Sequence, residues 1–192
     1  IDRIKIETER RIFTPFLAVK EYKWWEHGTN NWTSVCVGSV ACAAMLLKPD
    51  FARGLIPRFN KAMEYYLSGF ENDGICIEGC GYWHYGFGFF TVYADMIRNF
   101  TNGETDYFKR PKVKQVAMFI QRMYLSDKAS VTFSDGSQAE WHIGILHRLK
   151  DEYPEDICLP PIEYAYNQDS CGRWCWHLRA ALWLNKEYLK PQ

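Results

Sequence analysis

From Phe51 the apolar positions Phe51, Leu55, Phe59, Met63, Tyr66 and Phe70 step by fours and one three, which draws a single stripe along a helix starting after Pro49-Asp50. Ahead of it, Val35 to Leu47 is almost unbroken in apolar residues. This run is shorter than the ~20 residues that cross a bilayer and contains Gly38 and Ser39, so it predicts a buried helix. Lys48 to Phe51 then reads as a tight helix–helix turn. The stripe Val113, Val116, Ile120, Tyr124 follows Pro111, and Trp141, Ile145, Leu149 precede Pro154, so proline punctuates two more amphipathic helices. Trp174, Leu178, Ala181 and Asn185 continue the pattern. Strand-like alternation is confined to Val131-Thr132-Phe133. The pattern predicts an all-α chain with helices near 3–24 (interrupted at Pro15), 33–47, 51–69, 81–99, 106–125, 137–151 and 172–189. Most joining loops are short enough to make consecutive helices antiparallel neighbours, giving a stack of helical hairpins.

Composition narrows this picture. A chain of 192 residues can bury its own core as one domain, 1–192. Lys+Arg and Asp+Glu both number 23, which removes the basic footprint of a nucleic-acid or anionic-membrane binder. No nucleic acid and no membrane are therefore expected as partners. Eight Trp, twelve Tyr and twelve Phe are a surplus that fills a core or lines a cleft where flat sugar faces stack. Seven cysteines cannot all pair internally, and Cys36 and Cys42 lie in the apolar run, so reduced thiols and a reducing compartment are favoured. The chain opens on Ile1 and a charged stretch from Asp2 to Arg11, with neither initiator Met nor signal-peptide core. It is expected to be a piece of a longer protein, so the compartment of the whole protein is left undetermined.

Three constellations are candidates for chemistry. Asn30-Asn31-Trp32-Thr33 stands at the start of the apolar helix, where side-chain amides join unpaired backbone N–H groups to seat a carboxylate; N-capping is the commoner use of Asn there. Asp73 to Gly88 is rich in glycine and aromatics, with Tyr82, Tyr85 and Phe89 on one helical face. A tyrosine, with a reference pKa of about 10, acts as a base only when neighbouring cations or donors stabilise its phenolate, and in an aromatic helix it is more often core. Cys76-x3-Cys80-x3-His84 with Cys171-x3-Cys175-x-His177 is a conceivable zinc set, but the usual C-x2-C spacing is missing, and buried free thiols are preferred. Ser134, Asp135 and His142 form a weak hydrolase triad, and Asp73, Glu78 and Asp135 a possible carboxylate pair for glycoside hydrolysis. No metal or cofactor is expected.

Taken together, Trp24-Trp25, Asn30-Asn31-Trp32 with Val35-Cys36, Asp73-Gly74 and Glu78-Gly79-x-Gly-Tyr82-Trp83-x-Tyr85-Gly86 resemble, in order and spacing, the heparinase II/III-like polysaccharide lyases. The resemblance runs from about Glu9 to Phe90 and continues more weakly through Phe133-Ser134-Asp135-Gly136 and the Trp-rich last helix. It implies an incomplete α/α toroid that continues into a β-sandwich domain of the same chain. It also implies β-elimination on a uronic-acid-containing glycan, such as a glycosaminoglycan, by a bacterial enzyme. Asn31 matches the residue that neutralises the uronate carboxylate, and Tyr82 the base that takes the C5 proton. Asn30, Trp32, Glu78, Trp83, His84 and Tyr85 are the expected substrate-binding residues, with Tyr85 second in line as base. Trp32 stands where several members carry His. Members place a histidine from the β-sandwich beside the phenol, so the 192 residues alone are expected to fold but to be nearly inactive. The alternatives are an α/α-barrel glycoside hydrolase and a non-catalytic carbohydrate-binding or scaffold protein.

Overall fold

A computed structural model describes residues 1–18, 23–126, 129–134, 142–159 and 174–189. The described chain is helical: α1 (Asp2–Thr8), α2 (Thr14–Ala18), α3 (Asn31–Leu47), α4 (Pro49–Ser68), α5 (Cys80–Tyr82), α6 (Gly88–Phe100), α7 (Pro111–Arg122), α8 (Ile143–Glu152) and α9 (Trp174–Trp183). Val131-Thr132-Phe133 is not a strand; the described residues hold only one isolated antiparallel bridge, Tyr124 to Ser130. No helix among the described residues is long and apolar enough to cross a membrane.

The chain folds into two compact units that alternate along the sequence: 1–69 with 89–107, and 70–88 with 108–192. In the first, the expected break at Pro15 takes a different form. Proline has no N–H and crowds the carbonyl four residues back, and here the backbone passes through a π-helical turn over Glu9–Phe13 that gives way at Thr14 to α2, with Pro15 in its first turn. α3 and α4 pack together and are joined by Lys48 alone, with Pro49 at the first position of α4, where a missing N–H costs nothing. The face of α3 carrying Val37, Ala41 and Ala44 and the α4 stripe through Phe59, Met63 and Tyr66 are buried. Ile97, Phe90 and Tyr93 of α6 and Tyr107 extend this core. Beside it the half-buried Asn60 accepts on Oδ1 from the hydroxyls of Tyr93 at 2.7 Å and Tyr107 at 3.0 Å.

The second unit centres on Trp83. The ring is fully buried, lies 5.4 Å from Phe87 and 6.5 Å from Phe119, and donates its indole N–H to the Val116 carbonyl at 2.7 Å. Helix 106–125 of the sequence reading is shorter, since Arg110 is extended before Pro111 and Tyr107–Lys109 is a separate 3-10 turn. α8 packs on α9 with Gly144 against Ala180, where a Cβ would come within 2.5 Å of the Ala180 Cα. The expected stripe of α9 does not face inward: Leu178 is 67% exposed, while Trp183 is buried. Trp141, Asp135, Gly136 and Cys171 lie outside the described residues, as do the side chains of Trp174, Cys175 and His177.

Candidate functional site

Asn30 and Asn31 divide their duties at the start of α3. Asn30 is the N-cap: its Oδ1 accepts the Trp32 N–H at 3.1 Å. That removes the Asn30 oxygen from the substrate-binding group and gives it the structural role. Asn31 opens the first turn and is buried, as is Thr33, whose hydroxyl donates to the Gly28 carbonyl at 2.7 Å and so fastens the preceding loop to the helix. Trp32 points outward and is half-exposed, 5.6 Å from the ring of Trp24.

In the second unit Gly79, at φ 96°, closes the turn from Cys76 and launches α5, with its N–H donating to the Cys76 carbonyl at 3.0 Å. Glu78 sits on that turn, partly exposed. Trp83–Phe87 then forms a π-helical turn, a widening often found at functional sites. Within Tyr82–Gly88 only Tyr82 and Tyr85 are partly exposed; the residues between and after them are buried. Tyr82, just before the turn, and Tyr85, within it, are thus partly exposed over a packed interior.

Two expected substrate-binding residues are interior. Trp83 is the core ring described above and offers no face to a sugar. His84 is buried, and its Nε2 accepts the His142 main-chain N–H at 3.3 Å, with the two imidazoles 5.0 Å apart. Burial, and secondarily His142, holds the His84 imidazole well below its ordinary pKa. A neutral His84 is not the cation that would stabilise a phenolate.

No protein-family model matches the chain, and no curated protein matches it.

Asp73, Gly74, Cys76 and Cys80 are tied into the fold. Asp73 caps its own turn, accepting the Ile75 N–H on Oδ1 at 3.0 Å, while Arg122 donates to its main-chain oxygen at 2.6 Å. Gly74, at φ 85°, lies flat against α7, where a Cβ would come within 2.3 Å of the Gln115 carbonyl. The Asp-Gly motif thus serves close packing. Cys76 and Cys80 are free and buried, and burial pushes the Cys76 thiol up to about 12, far from a thiolate. Among the described residues no group of three or more His, Cys, Asp and Glu is arranged to hold a metal. An open groove of about 610 Å³ in the first unit, lined by residues such as Lys5, Ile6, Phe13 and Leu47, includes none of the expected site residues.

The arrangement missed by sequence reading is the base of the Trp24–Glu26 turn. Glu26 is 2% exposed and takes two hydrogen bonds from Arg58, at 2.7 and 2.8 Å, while also accepting the Lys23 N–H at 3.1 Å. The Arg58 guanidinium lies 4.0 Å above the Phe16 ring. Nothing in local spacing links Glu26 to a residue 32 positions away, so only the fold reveals the pair.

Proposed function

We propose that the chain is the incomplete α/α-toroid portion of a polysaccharide lyase that cleaves a uronic-acid-containing glycan by β-elimination. The observation that supports this reading is that Tyr82, at the end of α5, and Tyr85, in the π-helical turn that follows, are partly exposed while Trp83, His84 and Phe87 are buried. A catalytic phenol needs such rigid support, because proton abstraction is sensitive to small errors of placement.

In the proposed reaction the Asn31 side chain neutralises the uronate carboxylate. The C5 proton is then acidic enough for the Tyr82 phenolate to remove. The C5–H electron pair forms the C4–C5 double bond, the C4–O bond breaks, and Tyr82 returns a proton to the departing oxygen. The family resemblance assigns Glu78, Trp32 and Tyr85 to substrate contact. The cation that stabilises the phenolate is assigned to a β-sandwich domain that the family resemblance implies, since His84 is buried and neutral.

The test is an ultraviolet assay for unsaturated uronate on heparan, chondroitin, hyaluronan and alginate oligosaccharides, with the 192-residue chain and the full-length protein in parallel. Elimination by the full-length protein, with little by the chain alone, is expected. Tyr82→Phe should reduce turnover by about 10²–10⁴-fold and leave oligosaccharide binding nearly unchanged. Reducing-end release without ultraviolet absorbance would instead favour a hydrolase using Asp73 or Glu78, and binding without turnover a non-catalytic sugar-binding protein.

A further inference from the structure

Helix α1 buries none of its own residues, and Ile6 at its centre is 62% exposed. Ile6 stands at the open groove of about 610 Å³, whose lining includes Phe13 and Leu47 among apolar residues and Lys5, Glu9 and Lys48 among charged ones. An isoleucine left in water at the mouth of an apolar groove forgoes the hydrophobic gain that burial would return. The charges around it say what covers it.

Counting outward from Ile6, Asp2, Arg3 and Lys5 are answered at equal distances by Arg10, Glu9 and Glu7, each of the opposite sign. A helix with this pattern is its own complement when laid antiparallel on a copy of itself about a two-fold axis at Ile6. Each residue then lies level with the one equally far beyond Ile6 in the second copy. Asp2, Arg3, Glu9 and Arg10 stand three or four positions from Ile6 and so share its helix face. Glu9 and Arg10 do line the groove together with Ile6. The contact therefore sets Ile6 on Ile6 and pairs Asp2 with Arg10 and Arg3 with Glu9, each twice.

Partners within the chain do not stand in the way. Glu9 is held by Lys48 and Arg10 by Glu7, both at 2.7 Å on the exposed surface. A carboxylate accepts from two cations at once and a guanidinium has five N–H groups, so each can take a second partner. A nucleic acid or a strongly acidic peptide would call for a surface of one sign, and this one alternates.

We propose that α1 and its groove are a self-association surface, on which a second copy of the chain packs its own α1 antiparallel about Ile6. The inference stands apart from the lyase reading. One helix from each copy makes a small interface, so the dimer is weak and reversible rather than obligate.

The experiment is sedimentation of the 192-residue chain and of the full-length protein over a range of concentrations, with helicity and melting followed alongside. Both are expected to pass reversibly from monomer to dimer. Ile6→Ala should weaken association about tenfold or more, because each copy loses a buried isoleucine. Ile6→Glu, which sets two carboxylates together at the axis, should abolish it. Helicity should be unchanged in both variants, since Ile6 is exposed in the monomer. Asp2→Arg and Arg10→Asp each set like charges across the axis, and each alone should weaken association about tenfold. An equimolar mixture of these two variants restores both pairs and should dimerise about as well as the unaltered chain. A chain monomeric at every concentration overturns the proposal, as does a dimer that survives Ile6→Glu or a mixture no better associated than its components. A full-length protein that stays monomeric while the chain dimerises also overturns it, because another part of the same protein then covers α1.

Discussion

At the scale of single residues, Gly74 and Gly54 make opposite demands on the chain. Gly74 combines a left-handed backbone with van der Waals contact against α7, where a Cβ would lie 2.3 Å from the Gln115 carbonyl. Gly74→Ala therefore meets a conformational cost of about 1–2 kcal/mol and a backbone clash in addition, and a total loss of about 3 kcal/mol or more is expected. Gly54 is exposed inside α4 with nothing within 4 Å of a new Cβ. Gly54→Ala should stabilise the protein by roughly 1 kcal/mol, the difference in helix propensity. Urea denaturation of the two variants checks both signs, and a neutral Gly74→Ala would mean that α7 yields to the new methyl group.

At the scale of elements, ion pairs of similar composition differ in consequence according to burial. Glu26 and Arg58 tie the Trp24–Glu26 turn to α4 from inside the first unit. Glu26→Ala leaves the guanidinium without its carboxylate over the Phe16 ring, and a loss of about 3–5 kcal/mol is expected. Glu7 pairs with Arg10 and Arg11 on the open surface of the N-terminal helical stretch, where water and salt screen the charges, so Glu7→Ala should leave the denaturation midpoint unchanged. Equal effects of the two substitutions would contradict the assignment of Glu26 as the buried anchor.

At the scale of the whole molecule, two buried imidazoles link stability to pH. Burial lowers the pKa of His84, reinforced by His142, and lowers that of His147, where Asp151 partly opposes the shift. His147 Nδ1 accepts the Asn185 N–H at 3.0 Å, so like His84 it serves the fold in its neutral form. The unfolded chain takes up protons at these positions as pH falls through about 6.5, and the folded chain resists them until lower pH. Their contribution is therefore complete above about pH 6.5 and is lost progressively below it. Most carboxylates titrate lower, so a fall in urea midpoint between about pH 7.5 and pH 5.5 reports chiefly on histidine. His84→Gln, which keeps an acceptor for the His142 N–H but cannot titrate, should flatten that fall; an unchanged slope would show that His84 is not a source of it.

The helical class, the α3–α4 hairpin across Lys48 and the cap at Asn30 were legible in the sequence, because each depends on contacts within a few residues of the chain. Spacing of apolar positions fixes which face of α4 is buried, and proline fixes where α4 and α7 begin. Spacing alone did not separate the aromatics. Trp83 and Trp32 occupy similar settings in the sequence, yet one is the centre of a core and the other half-exposed, since that choice depends on whether Val116 and Phe119 arrive from later in the chain. The same holds for His84, whose charge state is decided by burial and by His142. Leu178 continues an apolar period in α9 but faces outward, because Gly144 of α8 admits close approach at Ala180 and thereby selects the other side of the helix. Only tertiary structure joins Glu26 to Arg58, and with that pair the chain braces an exposed indole that no local pattern distinguishes from a core one.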